Sequence, residues 1–178
     1  MKLNISLWQI VGFTITIFAG TLLHFVYEWS KDNILVAPFS AVNESTWEHM
    51  KLLFVPLFVF AIIQSRYFIE YNNFWCIKLI GILVGITLIP VLFYTYSGIL
   101  GKTYDWLNIT LFVVAAAASF YTEFRLFRSQ SLTCQHPWIA FAALCIIGIM
   151  FIVLTFVPPH IPLFQDPIKG SYGAKIKS

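Results

Sequence analysis

The sequence predicts an all-α integral membrane bundle of about five transmembrane helices with an ordered cap over its outer face. Three observations carry this. The 178 residues are 59% hydrophobic and only 11% charged, against roughly 45–50% apolar and about 25% charged in soluble domains. The apolar residues fall in five tracts, each near the ~20 residues that cross a bilayer. The polar residues are unevenly divided. Glu28, Asp32, Glu44, Glu48, Asp105 and Asp166, six of the eight acids, fall in segments that alternate crossing assigns to one face, as do His24, His49 and His160, three of the four histidines.

The first tract, 7–27, follows Lys2 and is longer than a signal-peptide core, with no small-residue cleavage site at its end. It reads as the first transmembrane helix. The second, 50–69, becomes long enough if Arg66 snorkels and pairs with Glu70 at i,i+4. The third, fourth and fifth are 75–95, 106–124 and 138–157. Pro56 and Pro90 predict kinks in the second and third. Gly81 and Gly85 form a small-xxx-small face, and 115–119 is similarly small, so these segments are expected to pack closely. Tryptophan favours the headgroup level, which assigns Trp8, Trp75 and Trp138 to one interface and Trp29, Trp47 and Trp106 to the other. The chain reads as one domain, with an outer loop over 29–49 and a C-terminal cap over 158–178. Four prolines (Pro158, Pro159, Pro162, Pro167) stop helix there, and Ile161, Leu163 and Phe164 are too apolar for a freely solvated tail.

Basic residues near the helix ends set orientation. Lys2, Arg66, Lys78, Arg125 and Arg128 fall on the side of the N-terminus, against Lys31, Lys51 and Lys102 before the tail. The expectation is N-terminus inside and C-terminus outside, in the inner (cytoplasmic) membrane. The net charge of +3 is scattered, with no basic run to follow a phosphate backbone, which argues against nucleic acid as a partner. Cys76, Cys134 and Cys145 have no paired spacing and read as free thiols.

The candidate chemistry lies on the outer face. Thr14, Thr21, His24 and Glu28 share one stripe of the first helix. Exposing such an ionisable group to hydrocarbon costs a few kcal/mol or more, so His24 and Glu28 are expected to face the bundle interior. Asn43 to His49 lead into the second helix. Ser45 and Glu48 form a capping box there, while Glu44 and His49 exceed what capping needs. In the tail, His160 is flanked by prolines, and Asp166-Pro167 is a turn signal.

Together these give His24, Glu28, Glu48, His49, His160 and Asp166 as candidate metal ligands, and His24, Glu28 and Glu44 as candidate catalytic groups. Imidazole with carboxylate suits a divalent transition metal as one expected cofactor, although no pair has the spacing of H-E-x-x-H. Proton relay or cation passage would use the same residue types. Phosphate-binding glycine loops, nucleophile elbows and C-x-x-C pairs are missing from the sequence. The expected activity is therefore a membrane-embedded site acting on a lipid or amphipathic small molecule. A small permease or cation-binding component, and an accessory subunit whose cap meets a protein partner, are the alternatives.

Three segments also carry a resemblance: H-F-x-Y-E-W-S at 24–30, N-E-S-T-W-E-H-x-K at 43–51 and P-P-H-I-P-L-F-Q-D-P-x-x-G-x-Y-G at 158–173. They resemble the hallmark segments of a small bacterial membrane-protein family catalogued as a domain of unknown function. The resemblance spans nearly the whole chain. It implies a multi-pass inner-membrane protein and supplies no activity.

Overall fold

In the computed structural model the described residues are 4–174. Lys2, Lys175 and Lys177, which bear on orientation, lie outside them. The fold is all-helical, as the composition predicts: α1 (Ile5–Trp29), α2 (Thr46–Ser65), α3 (Phe74–Leu100), α4 (Asp105–Ser129) and α5 (Pro137–Phe156), followed by a short 3-10 turn, Pro162–Phe164. All five α-helices are long and apolar enough to cross a membrane.

Helix ends follow local chemistry. Asn4 caps α1 by accepting from the Leu7 N–H (3.1 Å). Ser45 caps α2, its Oγ accepting from the Glu48 N–H at 3.4 Å, so this helix starts a turn before the apolar tract does. It also ends earlier, at Ser65. Arg66 and Glu70 therefore fall beyond the helix, and the expected i,i+4 ion pair does not form among the described residues. Pro56 and Pro90 both lie inside continuous helices. Gly101 and Gln130 end α3 and α4 in the left-handed region (φ 67° and 49°).

α2 is the most enclosed helix and packs against α1, α3 and α5, while α3 and α4 form the tightest pair. Gly81 and Gly85 lie in that seam as their spacing predicts. A Cβ at Gly85 would stand 3.1 Å from the Ser119 side chain, one at Gly81 would collide with the Glu123 side chain, and the Ser119 hydroxyl donates to the Gly81 carbonyl at 2.8 Å. The main core is aromatic and aliphatic, built around Leu53, Phe54, Leu57, Phe60, Phe120 and Phe151. A smaller cluster of Phe68, Phe74, Ile77 and Phe127 closes the end of the bundle that carries the N-terminus.

Two sequence expectations change here. Trp47 is 8% exposed and lies between Phe151 and Phe164 with ring centroids 4.5 and 4.7 Å away. It is a core residue that fastens the tail to α2, because its position at the start of the central helix is covered by the cap. Cys76 and Cys134 form a disulfide, leaving Cys145 free. Fifty-eight residues separate the pair in sequence, but the start of α3 and the loop after α4 meet at the same end of the bundle. Spacing along the chain could not show that.

Candidate functional site

The opposite end is the cap face, where loop 30–45 and the tail cover the ends of α1, α2 and α5. The loop leaves α1 through Lys31 and Asp32, both left-handed (φ 59° and 60°), and returns through an Asx turn in which the Ser45 N–H donates to Asn43 Oδ1 at 2.9 Å. That turn sets Glu44 over the start of α2. His24 reaches the same point from the last two turns of α1, and His49 from the first turn of α2.

The geometry is compact. Glu44 Oε2 stands 3.4 Å from His24 Nε2 and 3.6 Å from His49 Nε2. One ligand atom from each of the three residues lies within 4.8 Å of the other two. His49 Nδ1 is 2.9 Å from the Ser45 carbonyl oxygen. A carbonyl only accepts, so Nδ1 carries the proton, and the lone pair of Nε2 points at Glu44. The long hydrogen bond with His24 holds the Glu44 carboxyl below its usual range; it outweighs the opposing effect of partial burial, and the positive charges of His24 and Lys169 add to it. All three side chains are half-buried and open toward the cap face.

The cap clamps this group from behind. Asp166 is fully buried. Its Oδ2 accepts from the Glu44 N–H (3.3 Å), and its Oδ1 accepts from the N–H groups of Ile168 and Lys169 (2.8 and 2.9 Å). Gly173 (φ 55°) lets the tail lie against α5: a Cβ there would be 2.6 Å from the Thr155 carbonyl oxygen, which accepts from the Ala174 N–H at 2.9 Å. Beneath the group, Lys51 Nζ donates to Glu48 Oε2 (2.6 Å), the Ala37 carbonyl (2.8 Å) and Thr155 Oγ1 (2.8 Å). Glu48 also accepts from the Val42 N–H (3.1 Å). This buried knot ties the loop, α2 and α5 together.

Of the residues singled out in the sequence, the structure brings together His24, Glu44 and His49. Glu28 is exposed at the end of α1, outside the group. Thr14 and Thr21 are exposed as well, each satisfied by its own helix (2.9 and 2.8 Å to Ile10 and Ile17 carbonyls). The buried face of α1 is instead Gln9, Gly12, Thr16, Gly20 and Tyr27, because glycines allow closer packing than a threonine stripe. Glu48 is committed to Lys51, and Asp166 to backbone N–H groups. His160 is exposed and packs on the Tyr172 ring at 4.7 Å.

Sequence reasoning missed Lys51, Thr155 and a second buried pair at the other end of the bundle, Lys78 Nζ to Glu123 Oε2 at 2.6 Å, with both side chains fully enclosed. The signal was present: an ionisable group inside an apolar helix calls for a buried partner. Lys51 and Lys78 were instead counted as interfacial charges.

The bundle places this chain in the broad class of all-helical proteins whose helices are long and apolar enough to cross a membrane. Within it, the chain belongs to the family described as "Family of unknown function (DUF6512)", whose sequence model matches residues 1–174. No curated protein and no solved structure matches it.

Proposed function

We propose that this is a multi-pass protein of the cytoplasmic membrane in which His24, Glu44 and His49 bind one divalent transition metal at the membrane surface. The observation that carries the reading is the convergence of two imidazole Nε2 atoms on one carboxylate oxygen, with His49 held in the ligating tautomer by the Ser45 carbonyl. A tetrahedral centre with bonds of about 2.0–2.1 Å keeps its ligand atoms roughly 3.3–3.4 Å apart; the carboxylate stands 3.4 and 3.6 Å from the two rings, and all three ligand atoms lie within 4.8 Å of one another, so a metal would draw the imidazoles together. Three protein ligands leave a fourth position open, which suits Lewis-acid chemistry or activation of water.

A lipid or amphipathic small molecule would meet the metal from the half-buried surface of the group. The crevice beside it, lined by Thr46, His49, Ile89, Phe93 and Phe112, has a volume of only about 20 Å³, a water-sized space. The solid core of Leu53, Leu57 and Phe60 between the two ends of the bundle favours a site over cation passage. Zinc and manganese titration of the purified, chelator-treated protein tests the reading. One equivalent is expected to bind the wild type, and His24→Ala and His49→Ala are expected to lose it while keeping helical content. Metal bound equally well by both variants would refute the site.

Orientation is part of the proposal. With Lys51 and Lys78 buried in ion pairs, the basic residues left among the described ones are Arg66, Arg125 and Arg128 at the N-terminal end against Lys31, Lys102 and Lys169 at the cap end. This balance removes the support for an inside N-terminus. The Cys76–Cys134 disulfide favours the oxidising side for its own end. The N-terminal end then faces outward and the metal group faces the cytosol.

A further inference from the structure

The N-terminal end of the bundle holds a second polar group that the metal reading does not use. Gln9 is 5% exposed, and neither atom of its carboxamide has a hydrogen-bond partner. Its amide N–H is turned to the Glu123 carboxylate in a weak, long contact, while Glu123 Oε2 is taken by Lys78 at 2.6 Å. The Glu123 side chain lies against Gly81 of α3, where any Cβ would collide with it. In an apolar surround an unmet donor or acceptor is costly, because it has given up its bonds to water without replacing them. Such a set is a feature that a ligand would complete.

An approach to it exists. Between α1 and α4 runs an open groove of about 310 Å³, lined by Ile10, Phe13, Ala117, Phe120 and Phe124, with Gln9 in its wall. Apart from Gln9, its main lining is hydrocarbon and aromatic, and it opens on the side of the bundle that a bilayer would cover. The ammonium of Lys78 already balances Glu123, so the group carries no net charge to attract an ionic head. Glu123 is fully enclosed and does not line the groove, so what the groove presents is Gln9: with its amide N–H turned to Glu123, the carboxamide Oε1 is the acceptor left unmet. A hydroxyl satisfies it by donating to Gln9 Oε1.

We propose that the α1–α4 groove binds a lipid-soluble molecule with a long apolar chain and an uncharged hydroxyl head, and that Gln9 receives that head. The inference rests on the membrane placement of the helices and is independent of the metal group, whose titration can fail without touching it.

The test uses the full chain reconstituted in phosphatidylcholine nanodiscs. The probe is a long-chain primary alcohol with a diazirine in its chain, and the control is the matching alkane with the same diazirine. Photolabelling by the alcohol is expected at Ile10, Phe13 or Ala117, about fivefold above the alkane, as one neutral hydrogen bond of roughly 1 kcal/mol provides. Gln9→Leu should reduce alcohol labelling to the alkane level. Ala117→Trp, which fills the groove from its open side, should abolish labelling while leaving the melting temperature unchanged. Equal labelling by the two probes, or undiminished alcohol labelling in folded Gln9→Leu, would overturn the proposal and leave water as the partner of these amides. If Gln9→Leu does not fold, Ala117→Trp decides alone: alcohol labelling that persists there refutes the groove.

Discussion

Glu44 is the residue on which the cap-face group turns, and its environment fixes a pH signature. Its carboxyl is held below the usual 4.5, first by the hydrogen bond with His24. A depressed carboxyl contributes stability that is fully present above its unfolded value and is lost as pH falls through the folded one. Docking of the loop over α2 is therefore expected to weaken only below about pH 4.5 and to be unchanged from there to neutrality as far as Glu44 is concerned. Proteolysis of loop 30–45 across that range checks this, and Glu44→Gln should flatten the acid limb. The Lys78–Glu123 pair makes a sharper prediction. Removing one partner strands a buried charge, so Lys78→Met should cost about 3–5 kcal/mol, whereas Lys78→Met with Glu123→Leu should recover most of it. Chemical denaturation of the single and double variants measures both, and an equal loss in each would contradict a pair that is held by mutual charge. At this scale the sequence was legible for His24, Glu44 and His49, because intramembrane and near-cap ionisable residues stand out against an apolar chain. It was not legible for which of the seven candidates meet. That depends on the Asx turn at Asn43 and on the tail's path, neither of which has a periodicity.

Among the elements, the five helices were readable from apolar tract length, with ends displaced where capping chemistry, not hydropathy, decides them. Ser45 moved the start of α2 back by a turn. The tail was readable only as prolines and turn signals, yet it is the element that completes the group, through Asp166 on Glu44 and Gly173 on Thr155. A chain ending after Phe156 keeps all five helices and all three candidate ligands. It loses the support behind Glu44, and support of that kind typically governs 10–100-fold in metal affinity. The truncated protein is expected to bind zinc at least about tenfold more weakly than the full chain, with its helical content preserved on circular dichroism. Unchanged affinity would mean that Asp166 positions nothing.

At the scale of the molecule, two buried Lys–Glu pairs sit at opposite ends of one apolar core, and only the cap end adds a half-buried His–Glu–His group to its pair. The disulfide marks the other end. Cysteine substitution at Lys31 and at Gln130, each exposed, in a Cys145→Ser background tests the orientation: a membrane-impermeant maleimide applied to whole cells should label the Gln130 variant and spare the Lys31 variant. The reverse pattern would restore an inside N-terminus and place the disulfide in a reducing compartment.

The contact between Glu44 and Asp166 joins residues 122 positions apart, and that between Glu48 and Thr155 spans 107. During synthesis His24, Glu44 and His49 emerge well before Thr155 and Asp166 do, so the group gains its backing only after α5 and the tail have been made. A nascent chain that has reached only the fourth helix would thus carry the three side chains without the support that fixes them. Completion of the group is in this sense a record that the segment past Pro158 has been built.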